Sequence, residues 1–331
     1  MGTKDALPKA LRVSVGVTCE PIHRANSRRD TMATIISVAS GKGGVGKSIV
    51  SGNLGLVLAK MGKRVVLVDL DVGGADLHIL FGLLYPSTTL SDFLTRRIDT
   101  LEGVTHSIST QHGLRLIPGT GDTLATANMS YAKKKRLIRH LREMEADVLI
   151  VDVGAGTSYH ALDFFLLADR HIAVATPDPT SVLDLYRFVK LAAIRRVLSH
   201  FLSRDPMNAA LAERDFSSIE EIFTVSGNTD KAGQEIARQA VATFHPLLLL
   251  NRTSSRSKVN TLQLQKLLRQ YVGGELTLLG EIPEDPAVER SVRTYLPVVE
   301  TAPNSPAAHA FSHVGEVLLR HITTEKTQEV A

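Results

Sequence analysis

Tryptophan is absent from this chain, and cysteine occurs once, at Cys19. One thiol excludes an internal disulfide, and it excludes a metal or iron–sulfur centre held by cysteines of a single chain. A reducing cytoplasm fits that usage. Aromatic residues make up 5% of the 331 positions, so a core must be mostly aliphatic. No apolar run approaches the length needed to span a bilayer. The nearest thing to an export signal is ALRVSVGVTC at residues 10–19. Arg12 interrupts its apolar stretch and the residues before Cys19 make a poor cleavage site, so no export is expected. A large excess of one charge is lacking too: 38 basic residues against 34 acidic ones leave +4. That balance permits contact with DNA or an anionic membrane and argues for neither.

Aliphatic residues dominate what is present. Hydrophobic residues reach 44% and charged ones 22%, enough for a substantial core, and the length suits one large domain or two ordinary ones. Residues 1–31 show no steady period, carry Pro8 and Pro21, and end in NSRRD. They are expected to be a flexible tail, unless Met32 is the true start. From Thr34 onward, short aliphatic runs alternate with helical patterns. Strands are expected at 34–39, 64–69, 114–117, 147–152, 171–175, 246–250 and 276–280, because unbroken apolar runs mark strands buried on both faces. Helices are expected near 47–61, 130–144, 158–168, 180–201, 259–272 and 306–322. The alternation predicts an α/β domain over 32–331, with a doubly wound, mostly parallel sheet between helices. Residues 202–243 interrupt it with a polar, helix-prone segment and a Gly-Asn turn at 227–228. An inserted helical excursion is expected there, either a solvated cap or a partner-binding surface.

The chemistry begins at Gly41, Lys42, Gly43, Gly44, Val45, Gly46, Lys47 and Ser48, which fit G-x-x-x-x-G-K-[ST] between a strand and a helix. A triphosphate needs many N–H donors converging on its oxygens, and glycines let the backbone curl that closely. The following helix adds its N-terminal N–H groups and positive dipole end. Lys47 sets a charge against the β- and γ-phosphates, and the Ser48 hydroxyl suits Mg²⁺. Two more strands end in acids: Asp69 and Asp71 in VVLVDLDVGGAD, and Asp152 in VLIVDVGAGTS. Ligands of open α/β sheets bind at that edge. Four aliphatics followed by Asp152 form the Walker B pattern, whose carboxylate holds Mg²⁺ directly or through water. Gly154 and Gly156 permit a backbone that registers the γ-phosphate. A strand-end Asp is otherwise commonly a helix N-cap.

K-G-G-V-G-K-S, with Lys42 inside the loop, resembles the deviant Walker A signature of the MinD/ParA superfamily, which includes the flagellar number regulator FlhG. The likeness runs through nearly everything after Met32. It implies an ATPase with ATP and Mg²⁺ that dimerises around nucleotide, where Lys42 acts in trans on the partner copy's phosphates. Asp69 and Asp71 resemble switch I, which implies that Asp71 orients the attacking water near Mg²⁺ and that Asp69 supports the loop. Asp152 and the glycines after it resemble switch II. TPDPTSVLDLYRFVK at 176–190 resembles a further segment of these relatives. LLLLNR at 247–252 implies that Asn251 reads the adenine edge with Arg252 beside it, and 280–311 implies Pro283 near the base. One departure is Asp76, where MinD and FlhG relatives usually have Asn.

MinD and FlhG usually end in a lipid-inserting amphipathic helix. Here Phe311, Val314, Leu318 and Ile322 make a stripe better suited to packing, and no clear lipid anchor follows. Nor do residues 1–31 evidently supply the activating segment of FlhG. Lys133, Lys134, Lys135 and Arg136, continued by Arg139 and Arg142, are the best candidate for an anionic surface, though they spread around a helix, for which a solvated face is the commoner explanation. The expected role is a MinD/FlhG-like regulator of flagellar or division-site placement with a protein partner, cytoplasmic or peripheral at the membrane or nucleoid. A ParA-like DNA-partitioning ATPase is the alternative. An amidoligase would need a substrate pocket, and iron–sulfur carriers need cysteines at the dimer interface.

Overall fold

The structure, a computed structural model, describes residues 33–71, 74–109, 112–119, 129–201, 206–212, 214, 216, 218–254 and 276–328. Among them, eight strands form one sheet: β1 (Thr34–Ala39), β2 (Val65–Leu70), β3 (His106–Ser109), β4 (Leu114–Ile117), β5 (Val148–Val153), β6 (Arg170–Ala175), β7 (Leu247–Thr253) and β8 (Thr277–Pro283). Their order is β3-β4-β2-β5-β1-β6-β7-β8. Every neighbouring pair is parallel except the edge pair β3–β4, which is antiparallel and bulged between Ser107 and Ser109. The seven expected strands are all present; the eighth, β3, has the polar sequence HSIS.

Eleven α-helices are described: α1 (Lys47–Lys60), α2 (Leu90–Leu94), α3 (Tyr131–Arg142), α4 (Tyr159–Leu166), α5 (Pro179–Leu198), α6 (Pro206–Ala212), α7 (Ile219–Thr229), α8 (Lys231–Ala242), α9 (Pro286–Arg293), α10 (Val298–Thr301) and α11 (Pro306–Gln328). Successive strand side chains point to opposite faces, and the aliphatic runs divide accordingly. Ile35, Val66 and Leu149 pack with Phe93, Leu137, Phe165 and Phe188 from α2–α5. Ile36, Leu67 and Ile150 pack with Leu54, Leu58, Val298 and Phe311 from α1, α10 and α11. Two covered faces are what an unbroken aliphatic strand requires. Phe311, Val314, Leu318 and Ile322 all belong to the second core, which makes α11 a packing helix. No helix among the described residues is long and apolar enough to cross a membrane.

The inserted helical segment expected within 202–243 is present, and it has a core of its own: α6–α8 pack on the end of α5 through Val197, Met207, Leu211, Phe216, Ile219, Ile222 and Val241. One expectation needs correction. The expected turn at Gly227-Asn228 is helical, inside α7. The chain turns instead at Asp230, which is extended and caps α8 by accepting from Ala232 N and Gly233 N. Gly227 serves packing there, since a Cβ would collide with Gln234, whose amide donates to Phe223 O at 2.6 Å. The helix expected near 259–272 and residues 1–32 lie outside the described residues.

Candidate active site

The central strand β1 feeds the phosphate loop at the point where strand order diverges, with β5 on one side and β6 on the other, the position at which open α/β sheets bind ligands. Gly44 and Gly46 have φ of 79° and 86°, which an L side chain resists. Gly41 needs its missing Cβ for a different reason: an added carbon would overlap the Asp184 carbonyl of α5 and approach Leu185 N to 2.9 Å. The loop is therefore pressed against α5. It opens on a cavity of about 510 Å³ lined by Gly43, Gly44, Gly46, Lys47, Ser48, Asp71 and Asp76, among others.

Parallel register sets the acids beside the loop. Asp69 pairs with Asp152 across β2 and β5. Lys47 Nζ lies 3.0 Å from Asp152 Oδ1 and 3.3 Å from Asp71 Oδ2. Burial alone would lower the Lys47 pKa, but the charges of Asp152 and Asp71 outweigh it and raise it. Asp152 Oδ1 also accepts from Ser51 Oγ at 3.0 Å. Its other oxygen, Oδ2, is buried without a hydrogen-bond partner. An orphaned carboxylate oxygen is costly and suits a hard cation; with Asp71 sharing Lys47 with Asp152, and Ser48 lining the same cavity as Asp71, the donor set fits Mg²⁺, which takes one or two carboxylates and keeps several waters. Asp69 faces inward, accepting from Asp71 N at 3.0 Å and Leu77 N at 3.2 Å. Burial, then the Asp152 charge, push its pKa well above the usual carboxylate range. Gly154 brings the backbone after β5 against Asp71, since a Cβ there would sit 3.2 Å from Asp71 Oδ1. Gly156 N donates to Ser40 O at 3.0 Å, tying that turn to the end of β1.

Lys42 does not line the phosphate cavity. Its side chain is 43% exposed, donates to Thr180 Oγ1 at 2.9 Å, and lies 3.7 Å from Asp178 Oδ1. Asp178 caps α5 by accepting from Ser181 N at 2.8 Å. Hydrogen bonds from Thr176, Thr180 and Ser181 hold its carboxyl far below the usual range.

Asn251, Arg252 and Pro283 line an adjoining cavity of about 630 Å³, together with Gly46, Ile49 and the start of α9. Asn251 Nδ2 donates to Val45 O at 2.8 Å, fastening β7 to the phosphate loop. Arg252 borders both cavities with a left-handed φ of 58°. The structure thus gathers Gly43, Gly44, Gly46, Lys47, Ser48 and Asp71 around one cavity, with Asp152 reaching it through Lys47, and Asn251, Arg252 and Pro283 around its neighbour; Gly41, Lys42, Val45 and Gly154 line neither. Sequence reasoning missed Ser51, whose place four residues after Lys47 on one helix was a usable signal. It also missed the long-range roles of Asp178 and Thr180, for which periodicity carries no signal.

The basic run on α3 is divided. Lys134 is paired with Asp163, and Arg136 lies over the Phe93 ring while donating to Phe93 O and Asp99 O. Arg142 donates to Leu167 O at 2.9 Å. Lys135 and Arg139 remain exposed on the outer stripe.

Known proteins share this fold. The model of the ParA family, described as NUBPL iron-transfer P-loop NTPase, matches residues 31–202; Cys19 lies outside that span. The chain is 29% identical over 284 residues to the antiactivator FleN of Pseudomonas aeruginosa, covering 85% of each. The septum site-determining protein MinD of Pyrococcus horikoshii, solved with Mg-ADP, superposes with a TM-score of 0.62 at 24% identity, over 88% of this chain and 98% of that one. MinD in the MinC:MinD complex of Aquifex aeolicus gives 0.61 at 21%, over 87% and 96%. These last two likenesses establish the fold. With the matched segment spanning the phosphate loop and both acidic strand ends, the chain belongs to the ParA family of P-loop NTPases.

Proposed function

We propose that the chain is an ATP-hydrolysing switch that pairs with a second copy when ATP is bound and, through a protein partner, governs the placement of a larger assembly, flagellar or at the division site. The observation that carries the reading is Lys42: a lysine inside the phosphate loop that sits outside its own phosphate cavity, exposed, on Thr180 and Asp178. From there a second copy can receive it. The likeness to FleN and MinD supports the positioning role, and the MinC:MinD complex supports a protein partner. The expected setting is the cytoplasm. DNA as the bound surface draws less support, because Lys134 and Arg136 are committed within the chain.

The reaction is in-line attack of water on the γ-phosphate, forming one P–O bond as the bond to the β-phosphate oxygen breaks. Lys47, desolvated and held between two carboxylates, moves its charge onto the β- and γ-phosphate oxygens. Asp71 orients the water. Lys42 of the second copy stabilises the charge that develops on the transferred group, as an arginine finger does. Ser48, Asp71 and Asp152 would hold Mg²⁺, which neutralises phosphate charge when bound. Asn251, Arg252 and Pro283 receive the adenine.

A mixing experiment tests this reading. Lys42→Ala and Asp71→Ala should each be inactive alone. In a mixed dimer, the Lys42→Ala subunit keeps Asp71 and receives Lys42 from its neighbour, so one site is whole. Equal mixing should restore about a quarter of the wild-type rate for random pairing in a two-fold dimer. No restoration would place Lys42 in cis and sink the proposal.

A further inference from the structure

The wall of the larger cavity formed by Pro283, Glu284, Asp285 and Pro286 joins β8 to α9. On one side it is held by Glu284 N, which donates to Thr253 O at 2.9 Å. On the other it is held by a single carboxylate. Asp285 is the N-cap of α9, extended at φ −143°, and its Oδ1 accepts from Ala287 N at 2.8 Å. Its Oδ2 accepts from Ala307 N at 3.0 Å, in the first turn of α11. One side chain thus satisfies orphan N–H donors at the start of two helices that are far apart in sequence.

The surroundings are built for this double cap. Both helices open on proline, at Pro286 and Pro306, which leaves the next N–H as the first donor to be satisfied. Those donors belong to alanines, 3% and 0% exposed, whose small side chains let the carboxylate come close. Behind it, α11 packs on α1, with Gly315 against Val57, and α1 starts at the phosphate loop. The cavity wall is therefore referenced to the same helix pair that carries Lys47.

We infer that Asp285 is a positioning residue for the base end of the nucleotide: by capping α9 and α11 together, it fixes the 283–286 wall at the spacing that a purine ring needs opposite Asn251 and Arg252. This rests on the larger cavity being the base site. Phosphate binding needs none of it, so the two ends of the ligand separate the roles.

The test compares Mg-ATP with Mg-tripolyphosphate, which carries the phosphates without a base, by calorimetry on the full chain. Asp285→Asn places an amide N–H₂ against one of two N–H donors. Asp285→Ser keeps a short cap for α9 but cannot reach Ala307, which guards against a variant that fails to fold. Both should weaken ATP about tenfold, the scale of one charge-assisted hydrogen bond, with tripolyphosphate affinity unchanged. Equal losses for both ligands, or no loss for either, would overturn the positioning role. A wild-type protein that binds ATP no more tightly than tripolyphosphate would overturn the base-site reading itself.

Discussion

Replacing Gly41 with alanine separates steric fit from loop chemistry. The added methyl would overlap the Asp184 carbonyl and lie 2.9 Å from Leu185 N. Both obstacles are backbone of α5, so no side chain can swing away and either the loop or the helix must shift. Overpacking of this kind costs about 1–3 kcal/mol. With about 2 °C lost per kcal/mol for a domain this large, the melting temperature should fall by roughly 2–6 °C. Gly44→Ala is strained differently: its surroundings are open, but its φ of 79° is left-handed, and the cost is about 1–2 kcal/mol. Gly43 has open space and no left-handed φ, so Gly43→Ala should be neutral or stabilise by up to about 1 kcal/mol through the unfolded chain. Thermal unfolding by circular dichroism without nucleotide ranks the three, and an ATP titration should show Gly41→Ala weakened because the loop has moved. A Gly41→Ala protein as stable as wild type, or a Gly43→Ala protein less stable than Gly41→Ala, would refute the packing argument.

Two further predictions concern buried charge. Asp163 joins three helices, pairing with Lys134 of α3 and with Arg195 of α5 at 2.7 Å. Asp163→Asn should cost about 1–3 kcal/mol, less than a fully buried pair because its partners are partly solvated, whereas Lys135→Ala on the exposed stripe should stay within about 0.5 kcal/mol; equal effects in urea unfolding would contradict the division of the basic run. His171 packs between Phe165 and Phe244 at ring distances of 5.0 and 5.5 Å, and burial, with the Arg196 and Arg170 charges, lowers its pKa from 6.5 to about 3. The unfolded chain takes up that proton first, so stability present above pH 6.5 should drain as pH falls toward 3, at up to about 1.4 kcal/mol per pH unit. His171→Phe should flatten this part of the profile, and parallel wild-type and variant curves between pH 4 and 7 would show that the ring does not carry it.

The parts of the fold that were legible in the sequence are those whose cause is local. Strands such as VVLVDL and VLIVDV must be covered on both faces, and that requirement is written in their unbroken aliphatic run. The phosphate loop is equally local, since its glycines and lysines are consecutive. β3 escaped notice because an edge strand needs no apolar face, and α2 because its five residues span too little to show a period. Gly227 looked like a turn because glycine's local preference is plain and its packing against Gln234 is not. The couplings that organise the site are tertiary: Asn251 to Val45 across 206 residues, Lys42 to Thr180 across 138, and Asp285 to Ala307 across 22. Nothing in a residue's neighbourhood along the chain announces such a partner.

The central claim is that ATP, and not ADP, brings in a second copy. Sedimentation velocity of the Asp71→Ala protein at micromolar concentration, in Mg-ATP and in Mg-ADP, tests it most directly. A dimer in ATP and a monomer in ADP is the predicted result; one species of the same size in both nucleotides would contradict it.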